Sequence, residues 1–179
     1  MKVPALPVID RVLFTEEEVQ RRIREVAAEI SSRYRDGNLK MIGVLKGSVF
    51  FLTALARELT IPVKIDFLSI SPFSNHTKAP GVVRIAKDLD EPVEGEDVLL
   101  VEDIVDTGFT ARYLLQTIAG RGPNSIALCT MLDRPARRIV PLKIDFKCFE
   151  IPDRFVIGCG LDYKQLYRNL NFLAVLKPD

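Results

Sequence analysis

Residues 98–111, VLLVEDIVDTGFTA, set four apolar residues directly before three carboxylates, Glu102, Asp103 and Asp106, which lead into Thr107, Gly108 and Thr110. The apolar run Val98–Val101 reads as a buried strand, Asp103–Phe109 as a loop, and Thr110 to about Ala119 as a helix stopped by Gly120-Arg121-Gly122-Pro123. A loop that joins a parallel strand to a helix aims backbone N–H groups and the helix N-terminus at one point, which favours a phosphate. Thr107 and Thr110 add hydroxyl donors, and Gly108 permits close backbone approach or positive φ. Three carboxylates would repel that phosphate unless they accept hydrogen bonds from a sugar diol, hold a divalent cation with it, or take up a proton. A ribose phosphate uses all these features: hydroxyls for Glu102 and Asp103, a phosphate for the loop, and a reacting centre near Asp106. The competing reading is an acidic helix entry in which Asp103 or Asp106 only caps, a task for one carboxylate rather than three.

Outward from this stretch, apolar strands alternate with helical patterns. Thr15-Glu16-Glu17-Glu18 has capping-box spacing, and Val19, Ile23, Val26, Ala27 and Ile30 recur at helical intervals until Asp36-Gly37-Asn38. Leu39–Leu45 reads as a buried strand that ends at Lys46-Gly47, and Ser48 as the cap of a deeply buried helix to about Leu59. Val63–Ile70 is a further strand. Residues 71–81, SPFSNHTKAPG, form a polar loop long enough to be functional or mobile, and they include the sole histidine, His76, expected to face solvent. Shorter strands are expected over Val82–Ala86, Ser125–Leu132, Ile144–Phe149, Phe155–Ile157 and Phe172–Leu176. The fold class is therefore α/β, a mainly parallel twisted sheet flanked by helices, with ligands at the carboxyl ends of its strands.

With 179 residues, 47% hydrophobic and 27% charged, the chain suits one domain with a single core. Its 25 basic and 24 acidic residues leave a net charge of +1, which gives no global drive toward nucleic acid or an anionic membrane. Cys129, Cys148 and Cys159 lack a CxxC pair and read as buried free thiols of a reducing compartment. The first residues, MKVPALPVIDRVLF, show no secretory leader, and no run of about 18 apolar residues occurs, so the expected location is cytoplasmic. Other phosphate motifs fit poorly: there is no GxxxxGK[ST], and Gly158-Cys159-Gly160 lacks the third glycine of a dinucleotide fingerprint.

At this point the chain resembles the hypoxanthine-guanine phosphoribosyltransferases of purine salvage. The likeness rests on VEDIVDTGFT at 101–110, GVLKGS at 43–48, KDLD at 87–90, LDRPARR at 132–138 and IPDRFVIGCGLDY at 151–163. The first motif is common to many phosphoribosyltransferases, and the last two are specific to the 6-oxopurine branch. The resemblance implies the type I phosphoribosyltransferase fold over residues 1–179, with a hood from about 1–14 and 150–179 and a mobile lid at about 71–81. It implies Mg²⁺-dependent transfer of the 5-phosphoribosyl group from phosphoribosyl pyrophosphate to N9 of hypoxanthine or guanine.

By the same resemblance Asp106 is the general base at purine N7. Glu102 and Asp103 take the ribose hydroxyls, directly or through magnesium, and residues Asp106, Thr107, Gly108, Phe109 and Thr110 cradle the 5′-phosphate. Lys46, Gly47 and Arg168 hold pyrophosphate, with a cis peptide at Leu45–Lys46. Phe155 stacks on the base, the backbone of Val156 reads its edge, and Asp162 binds a second magnesium. Homodimers or homotetramers are implied, with the helix at 49–59 as core or subunit interface. Before the resemblance counts, Lys46 followed by glycine at the sheet's ligand edge reads as an anion binder rather than a solvated lysine, Asp162 could equally be a turn residue, and Phe155 alone reads as a core residue.

Three positions depart from the family pattern. Ser71 is followed by Pro72-Phe73 where a Ser-Tyr pair is usual, which removes a hydroxyl and a backbone donor. Arg134 replaces a lysine expected to donate to the purine 6-oxygen, and its planar fork differs in bulk and geometry. Phe109 sits where polar residues are frequent. These changes support competing readings, a nucleotide-binding homologue with weak or no transferase activity, or a transferase of altered base specificity. Arg134, Arg137 and Arg138 together also read as a solvated basic face.

Overall fold

The computed structural model describes residues 9–35, 37–72 and 83–177. Chain order is β1 (Ile9–Phe14), α1 (Glu16–Arg33), β2 (Leu39–Leu45), α2 (Ser48–Glu58), β3 (Val63–Pro72), β4 (Val83–Lys87), β5 (Asp97–Val105), α3 (Phe109–Ala119), β6 (Ser125–Asp133), a 3₁₀ turn at Pro135–Arg137, β7 (Phe146–Glu150), β8 (Val156–Ile157) and β9 (Leu173–Leu176). Six strands form one sheet in the order β4-β3-β2-β5-β6-β7. Its β3-β2, β2-β5, β5-β6 and β6-β7 pairs are parallel, and β4 runs antiparallel on the edge.

Parallel strands covered on both faces alternate their apolar side chains between two cores. Leu39 and Met41 of β2, with Leu99 and Val101 of β5, face α1 and α2, which contribute Ile23, Ile30, Phe51, Leu52 and Leu55. Ile42 and Val44, with Val98 and Leu100, face α3 and its Ala111, Leu114 and Ile118. Helix α2 packs so closely that a Cβ at Gly43 would lie 2.8 Å from Leu52 Cδ1. Helix α1 starts at a complete capping box: Glu18 N donates to Thr15 Oγ1 at 3.3 Å, and Thr15 N donates to Glu18 Oε2 at 2.8 Å.

Several sequence expectations change. Ser48 does not cap α2; Gly47 occupies the cap position without a side-chain bond, and the Ser48 hydroxyl donates back to the Val44 carbonyl at 2.7 Å. Phe50 is 44% exposed, so α2 is buried along one stripe rather than all round. Strand β5 runs four residues past Val101, which takes in Glu102 and puts Asp103 on the strand instead of in the loop. Strand β3 takes in Ser71 and Pro72, two lid candidates, whereas Phe73, His76 and the rest of that loop lie outside the described residues. Prolines and charges in the first residues gave no sign of β1, yet it pairs antiparallel with β9, and β9 with β8, in a second sheet of three strands. The ring of Phe14 stacks on Phe149 of β7 at 4.0 Å, tying this small sheet to the edge of the large one.

All three thiols are buried and free, and burial pushes those of Cys148 and Cys159 up to about 12. Among the described residues no helix is long and apolar enough to cross a membrane. Phe51 is fully buried between α2 and the sheet, so Phe51→Ala should cost about 3–5 kcal/mol by transfer and cavity terms. Urea unfolding followed by circular dichroism would measure it, and a loss under about 1 kcal/mol would mean that the site collapses around the gap.

Candidate active site

The parallel register sets the ends of β2 and β5 side by side, with Gly43 opposite Val101. The turn that leaves β2, Lys46-Gly47, therefore meets the second carboxylate that leaves β5. Contact is close: a Cβ on Gly47 would lie 1.5 Å from Asp103 Oδ2. A third segment abuts the same turn, since a Cβ on Gly160 would lie 1.9 Å from the Gly47 carbonyl. Gly160 has φ +102, a conformation that costs glycine little. The Leu45–Lys46 peptide is cis.

Around these contacts lies a cleft of about 360 Å³. Its walls include Lys46, Gly47, Glu102, Asp103, Asp106, Thr107, Gly108, Thr110 and Arg168. Ile70 also lines it, whereas Ser71 does not. Between β5 and α3 only Asp106, Thr107 and Gly108 remain as a turn, with Phe109 the first residue of the helix. Gly108 has φ +90, and a Cβ there would sit 2.8 Å from the Val140 carbonyl. Among the described residues the amides of Asp106, Thr107 and Gly108 donate to no backbone acceptor.

Charge in the cleft is poorly compensated. Glu102 is 5% exposed, its Oε1 has no partner among the described residues, and burial, with Asp103 beside it, pushes its carboxyl well above the ordinary value. Burial also raises Asp103, opposed by the Ile104 N–H that donates to it at 2.8 Å and by the nearby charge of Arg168, while Asp162 adds to the rise. One oxygen of Asp106, Oδ1, is buried without a donor among the described residues; the other lies 3.8 Å from Arg134 Nη1. Lys46 is exposed at the cleft wall. This is an arrangement suited to a polyhydroxyl, polyanionic ligand that brings its own donors or cations.

The remaining candidates are held by further contacts. Arg168 Nη1 donates to the Gly160 carbonyl at 2.7 Å, and its Nη2 pairs with Asp162 at 2.6 Å. Asp162 also accepts from the Gln165 amide at 2.8 Å, so it closes a turn as well as holding Arg168. Phe155 is 53% exposed with Tyr163 edge-on at 6.0 Å, and Val156 is buried in β8. Arg134 is 8% exposed and reaches Asp153 at 3.8 Å. Phe155, Val156, Asp162 and Arg134 do not line the cleft itself.

The reading of residues 134–138 as a solvated basic face is corrected. Arg137 is exposed and pairs with Asp153, but Arg134 and Arg138 are turned inward. Arg138, Asp133 and Asp153 were not singled out for the site, because nothing in an Arg-Pro-Ala-Arg-Arg run distinguishes an inward arginine from an outward one. The 3₁₀ turn does so by reversing the chain between them.

Residues 13–164 match the family model described as phosphoribosyl transferase domain. The hypoxanthine-guanine phosphoribosyltransferase of Bacillus subtilis (strain 168) is 45% identical over 170 residues, 95% of this chain and 94% of that protein. That of Mycobacterium avium is 43% identical over 176 residues, 95% of this chain and 87% of that protein. A crystal structure of a hypoxanthine phosphoribosyltransferase from Staphylococcus aureus superposes with a TM-score of 0.93 at 37% identity, covering 99% of this chain and 97% of that one.

A carboxyl whose folded pKa is raised contributes stability that is present below its unfolded value and is lost as pH rises through the folded value. For Glu102 the unfolded value is 4.5, so its burdening of the fold grows from there upward. In buffer free of divalent metal, Glu102→Gln should therefore melt above the parent at pH 8, with the gap closing toward pH 4. Thermal melts across that range check it, and a pH-independent gap would refute the charge-burial account.

Proposed function

The chain belongs to the hypoxanthine-guanine phosphoribosyltransferases, and from that membership we propose that its cleft moves the 5-phosphoribosyl group of phosphoribosyl pyrophosphate onto N9 of hypoxanthine or guanine, giving IMP or GMP and pyrophosphate. The observation that carries this reading is the union, in one cleft, of three under-compensated carboxylates with a turn of free amides.

Each group then has a task that its position supports. The amides and hydroxyls of Asp106–Thr110 take the 5′-phosphate at the N-terminus of α3. Glu102 and Asp103 accept from the ribose hydroxyls. Lys46, the Gly47 amide and Arg168 face the pyrophosphate from the opposite wall. The base lies outside the cleft floor, stacked on the exposed ring of Phe155, with the Val156 backbone at its edge and Arg134 donating to its 6-oxygen. As the C1–pyrophosphate bond breaks and the N9–C1 bond forms, Asp106 takes the proton from N7, a contribution of about 10²- to 10⁴-fold. The enclosing walls limit hydrolysis of the oxocarbenium-like sugar.

A divalent cation fits this chain's donors. The bare Glu102 Oε1 and the half-buried Asp103 stand beside the ribose position, and magnesium is commonly held by one or two carboxylates together with substrate oxygens. When bound it would neutralise charge on the departing pyrophosphate. Asp162 would serve a second ion while remaining the partner of Arg168. The assembly proposed is a homodimer or homotetramer in which Phe50 of α2 is covered, and the buried free thiols suit a reducing cytoplasm.

Incubation of purified protein with phosphoribosyl pyrophosphate, Mg²⁺ and hypoxanthine, guanine or xanthine in turn should yield nucleotide. Binding without any product would favour a regulatory homologue. Asp106→Asn should lower kcat by about 10²-fold or more while phosphoribosyl pyrophosphate affinity holds, and equal losses in both would sink the general-base assignment. Arg134→Lys should shift kcat/KM toward hypoxanthine and guanine over xanthine; unchanged base kinetics would place Arg134 outside base recognition.

A further inference from the structure

We infer that Arg138 is a positioning residue for the transfer, acting through the main chain of the phosphate turn; the inference rests on the function proposed above. Three successive carbonyls, from the last residue of β5 onward, are tied to the segment 134–140. The Val105 carbonyl accepts from Arg134 N at 3.0 Å and from Arg138 Nη2 at 3.2 Å. The Asp106 carbonyl accepts from Arg138 Nε at 2.9 Å. The Thr107 carbonyl accepts from the amides of Ile139 and Val140, both at 3.0 Å.

In a trans peptide the N–H points opposite to the C=O of the same unit. Tying down the carbonyls of Val105, Asp106 and Thr107 therefore turns the N–H groups of Asp106, Thr107 and Gly108 the other way, toward the cleft that these three residues line. Their lack of backbone acceptors agrees with that direction. Arg138 is not a wall of the cleft. It lines a second cavity of about 440 Å³ behind the turn, together with Asp133 and Lys147, and among the described residues the two cavities share no lining residue. Its guanidinium thus reaches a ligand only by way of the peptide units that it holds.

The side chain is itself fixed. One oxygen of buried Asp133 pairs with Arg138 Nη2, and the other accepts from Lys147 Nζ at 3.0 Å. Residues 106–108 carry no regular hydrogen-bond ladder of their own, and Gly108 sits at φ +90, a conformation that glycine adopts at little cost. Without the guanidinium, the first two peptide units keep only the Arg134 amide as an anchor. The N–H groups of Asp106 and Thr107 are then no longer preorganised toward an anion. The two backbone bonds to Thr107 survive, so the damage falls on phosphate binding rather than on the fold of the turn as a whole.

The test is a kinetic split with a rescue. Arg138→Met should raise KM and Kd for phosphoribosyl pyrophosphate by about tenfold, with KM for hypoxanthine changed by less than about twofold. Arg138→Lys, which returns one charged donor, should recover part of that loss. Unchanged phosphoribosyl pyrophosphate constants in Arg138→Met overturn the inference, as does a fall of kcat and Tm with an equal rise in both KM values that lysine does not relieve. Should Arg138→Met fail to fold, Lys147→Met loosens the same ion pair from its outer end and must show the same split at smaller amplitude; no split overturns the inference. A parent enzyme that makes nucleotide while Arg138→Met is unaffected removes this inference alone, whereas a parent that makes none removes the proposed function with it.

Discussion

The site depends on how closely two strand ends are allowed to approach. Gly47 lies against Asp103 so tightly that any side chain there would occupy the space of the carboxylate, and Gly160 presses on the other side of the same turn. These contacts follow from the parallel pairing of β2 with β5, because only a shared direction brings both carboxyl ends to one edge. Once they are set, residues from three distant parts of the chain share one small volume. Glu102 and Asp103 come from β5 and Asp106 from the turn after it, the lysine-glycine turn follows β2, and Arg168 comes from the segment that precedes β9.

That convergence carries an electrostatic cost which the two cores must offset. Among the described residues, Glu102 is buried beside Asp103 with an oxygen left bare, and Asp106 keeps another bare oxygen. A sequence selected for stability alone would place an apolar residue at Glu102, as it does at Val98–Val101. The strand instead changes character within one residue, from a fully apolar run to consecutive acids, while its backbone pairing continues through Val105. Regular structure thus persists into the chemistry, and the carboxylates inherit the rigidity of the sheet.

Much of this was legible in the residues. Apolar runs marked β2, β3, β5 and β6, and the Thr15 box marked the start of α1. The signal weakened wherever side-chain type and backbone geometry part company. Hydrophobicity ends at Val101, so the strand was expected to end there, although acids can extend a ladder whose hydrogen bonds are made by the backbone. Ser48 has a capping side chain, yet its hydroxyl is better satisfied by the Val44 carbonyl one turn back. Strand β1 lacks an alternating pattern and exists only because β9 offers it an edge. In the site, the types of residue were visible at Glu102, Asp103, Asp106 and Lys46, whereas the close approach of Gly47 and Gly160 is a property of tertiary register that no local pattern carries.

The arginines at 134 and 138 show what such a reading misses. Both follow β6 and both hold residue 106, but the 3₁₀ turn between them sends one to the side chain and the other to the main chain. Arg134 approaches the Asp106 carboxylate while also facing Asp153, each at 3.8 Å. Arg138 binds the Asp106 carbonyl. Direction of the carboxylate and direction of the following amide are thereby governed by separate guanidinium groups. A lysine at 134 would present one compact charge, whereas the planar fork can serve two carboxylates and a carbonyl oxygen of a base together. In the proposed reaction, base recognition and the charge with which Asp106 would accept a proton are then coupled through a single side chain. Substitution at that position would alter both, which is the physical reason that a departure from lysine there matters more than one at Phe109, whose side chain leaves the turn as the first residue of α3.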